Sequence, residues 1–565
     1  MKRYHTLLAV LALLVSVALG LSVLITPAPR NAPATEFSAY RAAQDIQQIS
    51  KEIHTVNDTA ALADVRQYLQ TTLQGIGLET ELYTYQMVVN IAGTLKGQSD
   101  KSLLLVAHYD SNPGLGVGEA PGSHGAADDG YGIAVILEIL RAIKARGLQQ
   151  NTIRVLFTDA EEADMAGSEN AAADAGYNAA QSVAVFNIES RGLQGPAILF
   201  ETSKNNGGIF TFYAQNAVRP ATWSLATDVY RIMPNTTDFT SFMDIGMQGL
   251  NFSNLYKVEQ NHTPLDVYPN ISLSTLQGYG EQLLPVISAF AAGHSPDSFV
   301  SGYDMSYFTL LNGVLVYYPA WLNYLLLALA LAAWVVYLVL AHKNGTLRLK
   351  RLWFTPVLLV CALGAAAAGT LLAWLLALVF GLPFKLMNLV NVPLADWITA
   401  IGCVVLLVLL VGLMRSRLKK GTTYDELTAS AILLLVVMAA IFTFALPGGA
   451  FLFSFGAIAA SLVGIIRQRV AIAGLFSGFV AAWIAAPVVA LLLVALTIGS
   501  LGIVLLFACF PLVLFAISIA NETVKYKPCN MNHQGTKAPG IRNPHAETRR
   551  RGERPEILRV INCSA

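Results

Sequence analysis

Five short stretches of this chain carry histidine or carboxylate side chains, and three of them directly follow apolar runs typical of β-strands. These three are His108-Tyr109-Asp110 after 103–107, Asp159-Ala160-Glu161-Glu162 after 153–158, and Glu189 after 183–188. The other two are Asp128-Asp129, between the first two runs, and Asn261-His262 far downstream. Because ligands in open α/β sheets bind outside the carboxyl ends of the strands, we expect these side chains to meet at one sheet edge.

Such a group of side chains is typical of a metal site. Carboxylates this close together repel one another and take up protons unless cations neutralise them. Two imidazoles with several carboxylates suit zinc or a similar divalent metal, and the absence of cysteine from these stretches favours a hydrolytic over a structural site. Two metals explain the number of ligands better than one. If Asp128 bridges them, each metal receives one histidine and one further carboxylate, and positions remain open for water.

The carboxylates beside the proposed ligands are expected to have different roles. Neighbouring residues beyond a strand end point in different directions, so Glu162 can bind metal while Glu161 faces the attacking water as general base. Asp110 follows His108 by two residues in an extended chain and therefore lies on the same side. We expect the Asp110 carboxylate to accept the second ring N–H of His108, which fixes the tautomer of a histidine ligand.

The elements that must position these residues alternate between helix and strand patterns. Residues 38–76 show the apolar spacing of two helices. The short apolar runs that follow, at 103–107, 153–157 and 183–188, are separated by helical stretches such as 133–144. Strands that alternate with helices predict an α/β domain with a largely parallel sheet.

The composition shows that a membrane holds part of this chain. Of 565 residues, 54% are hydrophobic and 13% are charged, which is too apolar for a soluble protein. The apolar run at 6–26 predicts an amino-terminal anchor, and the chain from Trp321 to Ala520 predicts seven further spans, the last two divided near Gly499-Ser500. With 37 Lys+Arg against 36 Asp+Glu, a nucleic-acid partner has no support.

Basic residues predict the orientation of these spans. The short loops at 343–351, 415–420 and 467–469 are basic, whereas the alternate loops hold only Lys385 or no Lys or Arg. With the amino terminus inside, eight spans place every basic loop on the cytoplasmic face and the α/β domain on the other side. The absence of cysteine from that domain favours a bacterial inner membrane, with the domain in the periplasm, over a eukaryotic secretory lumen.

The chain therefore divides into four predicted parts. They are a transmembrane signal anchor at 1–28, the extracytoplasmic α/β domain at 29–298, a seven-helix membrane domain at 299–520 and a basic, disordered cytoplasmic tail at 521–565. Ala32-Pro33-Ala34 is a small-residue pattern that a signal peptidase could cleave. The length of the apolar run favours an uncleaved anchor, and cleavage is the alternative.

The order His108-x-Asp110, Gly125-Ala-x-Asp128-Asp129, Glu161-Glu162, Asn187-Ile-Glu189 and His262 resembles the cocatalytic dizinc aminopeptidase family over about residues 40–295. The layout of anchor, domain and multispanning half is similar to the membrane metallopeptidases of that family in endoplasmic reticulum and vacuole, and to their bacterial relatives. The resemblance implies a three-layer zinc-exopeptidase domain with two Zn²⁺ per chain. It implies that Asp128 bridges the two ions, with Glu161 as the base. The remaining ligands are His108 and Glu189 on one zinc, and Glu162 and His262 on the other.

The resemblance carries further implications for the surroundings of the site. It implies a cis peptide between Asp128 and Asp129, and a substrate pocket lined by the segment 234–239. The chain departs from the family at Asn261, where many relatives have tyrosine before the last histidine. An oxyanion contact from a neighbouring tyrosine is therefore not expected at that position.

Three classes of function fit these features. The first is an aminopeptidase that hydrolyses amino-terminal residues of peptides. The second is a cyclase or an inactive docking or receptor domain on the same scaffold, although an inactive relative would be expected to have lost ligands and none is missing here. The third is a transporter, which is disfavoured because no charged residue or histidine lies inside the seven predicted carboxyl-terminal spans. Seven spans are more than membrane anchoring needs, so a membrane-protein partner that binds these helices is also considered.

Overall fold

The computed structural model describes residues 4–114, 122–385, 392 and 394–524. The helices up to the end of the α/β domain are α1 (His5–Leu21), α2 (Ala39–Ile49), α3 (Thr59–Ile76), α4 (Gly130–Arg146), α5 (Ala166–Ala173), α6 (Gly207–Asn216), α7 (Ser224–Tyr230), α8 (Asp238–Asp244) and α9 (Leu273–Ala291). The strands are β1 (Glu79–Tyr85), β2 (Val88–Leu95), β3 (Ser99–His108), β4 (Asn151–Thr158), β5 (Ala184–Ile188), β6 (Ile198–Thr202), β7 (Gly249–Ser253), β8 (Met305–Leu311) and β9 (Val314–Pro319). The carboxyl half contains α10 (Leu322–Lys343), α11 (Phe354–Val379), α12 (Ala395–Lys419), α13 (Tyr424–Ala445), α14 (Phe451–Arg467), α15 (Phe479–Leu496) and α16 (Leu501–Val524). The predicted disordered tail lies outside the described residues from 525 onward.

Strands β1 to β7 form one mixed sheet in the order β1-β2-β4-β3-β5-β7-β6. The four central strands β4, β3, β5 and β7 are parallel, and β1, β2 and β6 pair antiparallel to their neighbours at the two edges. The three predicted strands are β3, β4 and β5, and the predicted helices correspond to α2, α3 and α4. The predicted α/β fold is therefore confirmed.

Helices cover both faces of this sheet, which gives the predicted three layers. Alternate residues of β3 face opposite sides, so Leu103 and Leu105 join a core with α2, α3, α4 and α9. Leu104 and Val106 join a smaller core with α5 and α8 on the other face. The central strands are buried on both sides, which explains their nearly continuous apolar sequences.

The hairpin β8–β9 completes the α/β domain although it lies beyond the predicted boundary at residue 298. The ring of Tyr307 stacks on Phe210 with centroids 3.8 Å apart, and the Met305 N–H donates to Asn206 Oδ1 over 2.8 Å. Met305 and Tyr307 are part of the same core as α4 and α9. The predicted division at 298/299 assigns these residues to the membrane half, and we instead place the end of the domain at Pro319.

Eight helices of the described chain are long and apolar enough to cross a membrane. They are α1 and α10 to α16, several of them extended by a short 3₁₀ turn, and they coincide with the apolar runs in the sequence. Helix α15 ends at Leu496 and α16 begins at Leu501, on either side of the predicted turn at Gly499-Ser500.

Helix α1 is packed into this bundle against α15 and α16. A Cβ atom on Gly20 would lie 2.4 Å from the Trp483 carbonyl oxygen, so only glycine allows this approach. The segment after the helix is also held, because the Arg41 guanidinium donates to the carbonyl oxygens of Ala32, Pro33 and Glu36. These contacts hold the Ala32-Pro33-Ala34 segment against the folded domain, and the uncleaved anchor stays a prediction.

The two ends of the helix bundle differ in charge. At one end Arg348 pairs with Glu426 at 2.6 Å, and Arg467 pairs with Asp425 at 3.2 Å. The two acidic residues are buried in the first turn of α13, which begins three residues before the predicted span. Both acidic residues lie just before the predicted span at 427–446, in the first turn that the prediction left out, where ion pairs offset their burial.

The α/β domain packs on the opposite end of the bundle through a contact that we call the junction. The junction consists of the turn Pro447–Gly449, helix α7 and the hairpin β8–β9. The Ser224 hydroxyl donates to the Gly448 carbonyl oxygen and the Gly448 N–H donates to Asp228, both over 2.7 Å. Phe308 stacks on Phe451 of α14 at 4.4 Å. The basic loops and the α/β domain thus lie at opposite ends of the membrane helices.

Candidate metal centre

The loop between β3 and α4 carries Asp128 into the carboxyl edge of the sheet. The Asp128–Asp129 peptide is cis. Asp129 caps α4, because its Oδ1 accepts the Gly132 N–H over 3.0 Å. The cap directs the Asp129 side chain into the helix start, and Asp128 is left to face the end of β3.

Asp128 lies between the two predicted histidine ligands. Its Oδ1 is 3.1 Å from Nε2 of His108, and its Oδ2 is 3.0 Å from Nε2 of His262. The two histidines come from positions 154 residues apart in the sequence, and each points its Nε2 at a different oxygen of one carboxylate. This is the arrangement that a bridging carboxylate requires.

The Glu161-Glu162 pair follows β4 and reaches the same place. Glu162 Oε1 lies 3.0 Å from His262 Nε2, whereas Glu161 Oε2 lies 4.0 Å from His108 Nε2. Ligand atoms of His108, Asp128 and Glu162 all lie within 4.8 Å of one another, close enough to hold a metal ion. Among the described residues, Glu161, Glu189 and His262 lie outside that group, so the group alone does not separate the predicted base from the predicted ligands.

Asp110 supports the centre in a different way from the one predicted. The Asp110 carboxylate is 3.6 Å from Nδ1 of His108, too far for a hydrogen bond, and the backbone carbonyl oxygen of Asp110 lies 3.0 Å from that nitrogen. The carboxylate accepts the backbone N–H groups of Glu161 and Glu162 over 2.9 and 3.2 Å. Asp110 therefore orients His108 through its carbonyl and holds the acidic pair through its side chain.

Glu189 follows β5 and is held by a buried chain of amides. The Asn187 amide donates to Glu189 Oε1 and to Asn251 Oδ1, each over 3.1 Å. The Asn251 amide donates in turn to Glu201 Oε2 over 2.9 Å. These contacts fix the carboxylate of Glu189, the fifth predicted ligand, which interacts electrostatically with His108 and Asp128.

The electrostatic environment of the centre favours the binding of cations. Burial raises the pKa of Glu189 to about 7 and raises that of Glu161 well above its usual value, although nearby His108 opposes both shifts. Burial lowers the pKa of His262, but its contacts with Asp128 and Glu162 outweigh this effect and raise it to about 10. Buried carboxylates that share two imidazoles are a ligand set suited to zinc, so the residues fit the predicted metal.

Sequence reasoning did not identify Asp266, which holds the Asp128 loop in place. Its carboxylate accepts the N–H of Ala127 over 2.6 Å and of Asp128 over 3.3 Å, and the Ser123 hydroxyl donates to it over 2.8 Å. Asp266 is fully buried, and burial raises its pKa to about 6. Its position four residues after His262 was visible in the sequence, but no local pattern linked it to a loop 138 residues earlier.

Replacing Asp266 should weaken both the fold and the centre. We expect Asp266→Ala to cost about 3 kcal/mol, because three buried donors lose their acceptor, and to lower Tm by about 5–10 °C. Zinc affinity should fall by about 10–100-fold, as for other residues that orient metal ligands. Thermal unfolding and zinc titration measure the two effects. Asp64→Ala, on the exposed face of α3, is the control and should change neither; equal values for the two variants would contradict the assignment.

The other residues singled out in the sequence lie around the centre. In the segment 234–239, Asp238 accepts the Thr158 hydroxyl at the end of β4 and is buried. Arg191 donates to the Thr236 carbonyl oxygen over 3.3 Å. The Oδ1 atom of Asn261 is buried without a hydrogen-bond partner among the described residues. His124 Nδ1 lies 3.1 Å from the Ser50 carbonyl oxygen, which is a structural contact.

Known proteins resemble parts of this chain. Residues 90–287 match the model of peptidase family M28. Endoplasmic reticulum metallopeptidase 1 of Mus musculus is 25% identical over 315 residues, covering 51% of this chain and 34% of that protein. The vacuolar membrane protease of Candida albicans (strain SC5314) is 24% identical over 348 residues, covering 58% of this chain and 39% of that protein. The solved glutaminyl cyclase of Porphyromonas gingivalis is 21% identical, with a TM-score of 0.37, over 45% of this chain and 99% of that one.

The resemblance predicted from the motifs is confirmed over this segment. The family match runs from β2 to α9 and includes all five predicted ligands and Glu161. The matches cover only about a third of the length of the curated relatives, 34% and 39% in the two cases above.

Proposed function

We propose that this chain, whose residues 90–287 match peptidase family M28, is a membrane-anchored zinc metallo-exopeptidase that removes amino-terminal residues from peptides. The observation that supports this most directly is Asp128 between two histidines, with one carboxylate oxygen about 3 Å from each Nε2. That arrangement suits two zinc ions that share Asp128. His108 and Glu189 then complete one site, and Glu162 and His262 complete the other.

The protein's own residues supply positioning and proton transfer. Zinc, when bound, polarises the scissile carbonyl and makes water a stronger nucleophile. Glu161 is the general base, and its carboxylate takes a proton from the attacking water and delivers it to the departing amine. Burial raises the pKa of Glu161, which increases the affinity of its carboxylate for a proton.

The acidic surroundings also suit a substrate with a free amino group. Asp238 adds a buried carboxyl group near Glu161, and a substrate ammonium group is attracted to an acidic region of this kind. Arg191 offsets part of this charge near Glu189. Because these acidic groups surround a single centre, we propose that the protein cleaves peptides at the amino terminus and not at internal bonds.

The charge distribution of the bundle supports an extracytoplasmic location for the catalytic domain. The basic loops lie at the end opposite the junction, and basic loops stay in the cytoplasm. The domain then faces the periplasm in a bacterial inner membrane, the location that we favour. The α1 and α10–α16 helices provide the membrane attachment.

Metal content and chelation test this function on the full-length protein in detergent. We expect about two zinc ions per chain, hydrolysis of aminoacyl amides and amino-terminally unblocked peptides, and loss of turnover with a chelator. Added zinc should restore the activity. Peptides with an acetylated amino terminus are the matched substrates, and they should resist cleavage.

Two results would contradict the proposal. Zinc binding without hydrolysis of any unblocked peptide would redirect the centre towards cyclase chemistry or a docking role. Turnover that survives complete removal of metal would exclude a metallopeptidase.

A further inference from the structure

The junction determines how far the metal centre lies from the membrane. Residues Thr222, Leu199, Phe252 and Ile188 pair in sequence across the sheet, so they form one row from the junction to β5. Thr222 is two residues from Ser224, which contacts the turn Pro447–Gly449. Ile188 directly precedes Glu189. The bundle therefore meets the edge of the sheet beyond β6, two residues along the chain from the row that ends beside Glu189.

The spacing between neighbouring strands gives the distance from the junction to the metal centre along this row. Neighbouring strands lie about 4.8 Å apart, so three spacings place β5 about 14 Å from the Thr222 segment. His108 on β3 is one spacing further, at about 19 Å. The centre thus lies within about 20 Å of the outer surface of the helix bundle.

The loop that carries His262 lies on the same side. Leu255 packs against the apolar cluster shared by the junction and the membrane helices. Burial and the negative charge of Asp396, in the first turn of α12, raise the pKa of Tyr256. The backbone of Tyr256 pairs with Gln194, five residues after Glu189.

The centre is open at this loop. The His262 side chain is 44% exposed, whereas those of His108 and Asp128 are only 1% and 6% exposed. A substrate therefore reaches the ligands from the side where the His262 loop is found, and that loop extends towards the outer end of α12.

We propose that the substrates are peptides whose free amino end emerges from the same membrane, so that the bilayer tethers the chain a few residues from the cleaved bond. This rests on the proposed function and names its substrate class. An extended chain rises about 3.3 Å per residue, so about six residues bridge the 20 Å between bundle surface and centre. Trimming should stop when the free segment becomes shorter than that reach.

The experiment uses the full-length protein in phospholipid vesicles with synthetic membrane peptides. Each peptide has a free amino end, a polar spacer of three, eight or twenty residues and a transmembrane segment of about 20 apolar residues. A soluble peptide with the same twenty residues serves as the reference. Mass spectrometry of the products gives the number of spacer residues that remain.

We expect the eight- and twenty-residue spacers to be trimmed until about five or six residues remain, and the three-residue spacer to stay intact. Initial cleavage of the eight-residue spacer should be about fourfold faster than that of the twenty-residue spacer, because effective concentration falls with about the −3/2 power of tether length. Trimming that stops with fifteen or more residues, or a faster rate for the longer spacer, would overturn the inference. Failure to cleave the soluble reference would instead overturn the proposed function.

A variant of the junction tests whether the helix bundle determines how many spacer residues remain after trimming. A Cβ on Gly448 would lie 2.4 Å from the Ser224 carbonyl oxygen, so Gly448→Ala should loosen the junction. We expect trimming by this variant to leave products of mixed length, with cleavage of the soluble reference within about twofold of wild type. Gly412→Ala is the control, because a Cβ there meets no atom within 4 Å. Unchanged product lengths in a folded Gly448→Ala protein would count against the inference.

Discussion

Asp128→Ala should remove both zinc ions and reduce kcat/KM by about 10⁴-fold or more. The reason is geometric, since the two oxygens of this one carboxylate face His108 and His262 at 3.1 and 3.0 Å. Without the shared carboxylate, each ion keeps only one histidine and one carboxylate from the chain. Zinc content after dialysis and initial rates on an unblocked peptide measure the effect.

The control for this variant is Asp244→Ala, which removes an exposed carboxylate at the end of α8. It should retain two zinc ions and full activity. An Asp128→Ala protein that keeps one tightly bound zinc would show that Asp128 belongs to a single site. The dinuclear arrangement would then have to be abandoned.

Glu161→Gln should retain zinc and lose about 10³-fold in kcat, within the range that proton transfer by a positioned side chain contributes. The glutamine amide has the same size but cannot accept a proton from water. Metal should stay because the proposed ligand set does not include Glu161, and glutamine keeps the size of the side chain. Zinc content and kcat, determined on the same preparation, separate the two properties.

Glu169→Gln makes the same chemical change at an exposed position in the first turn of α5 and should leave kcat unchanged. The assignment of Glu161 depends on a difference between metal content and turnover. If Glu161→Gln loses zinc to the same extent as Asp128→Ala, Glu161 is a ligand, and the base must be sought elsewhere.

The sequence was sufficient to predict the convergence of the candidate residues because parallel strands impose it. His108 ends a strand of the parallel set, Glu161 and Glu189 follow two others, and the carboxyl ends of such strands share one edge. The Asp110 contact was predicted on the correct side of the chain but with the wrong atom. A spacing of two residues in extended chain places Asp110 on the same side as His108. The packing around them decides which Asp110 oxygen is closer to His108 Nδ1, and the carbonyl oxygen is closer than the carboxylate by 0.6 Å.

Other features needed contacts between distant parts of the chain. Asp266 contacts the Asp128 loop although 139 residues separate Asp266 from Ala127, and α4 and the central strands lie between them in the chain. The hairpin β8–β9 had a local signal, because Asn312-Gly313 between alternating apolar residues is a strong hairpin pattern. The early start of α13 also had a local signal in the sequence, because Thr423 and Glu426 form a capping box.

The hairpin has a consequence for biosynthesis. The strand pair at Met305–Pro319 contributes Met305 and Tyr307 to the core of the α/β domain, and α10 begins three residues later. A chain released from the ribosome as far as residue 298 lacks that part of the core. The core of the domain is therefore complete only once residues 305–319 have been synthesised, immediately before the first helix of the carboxyl half.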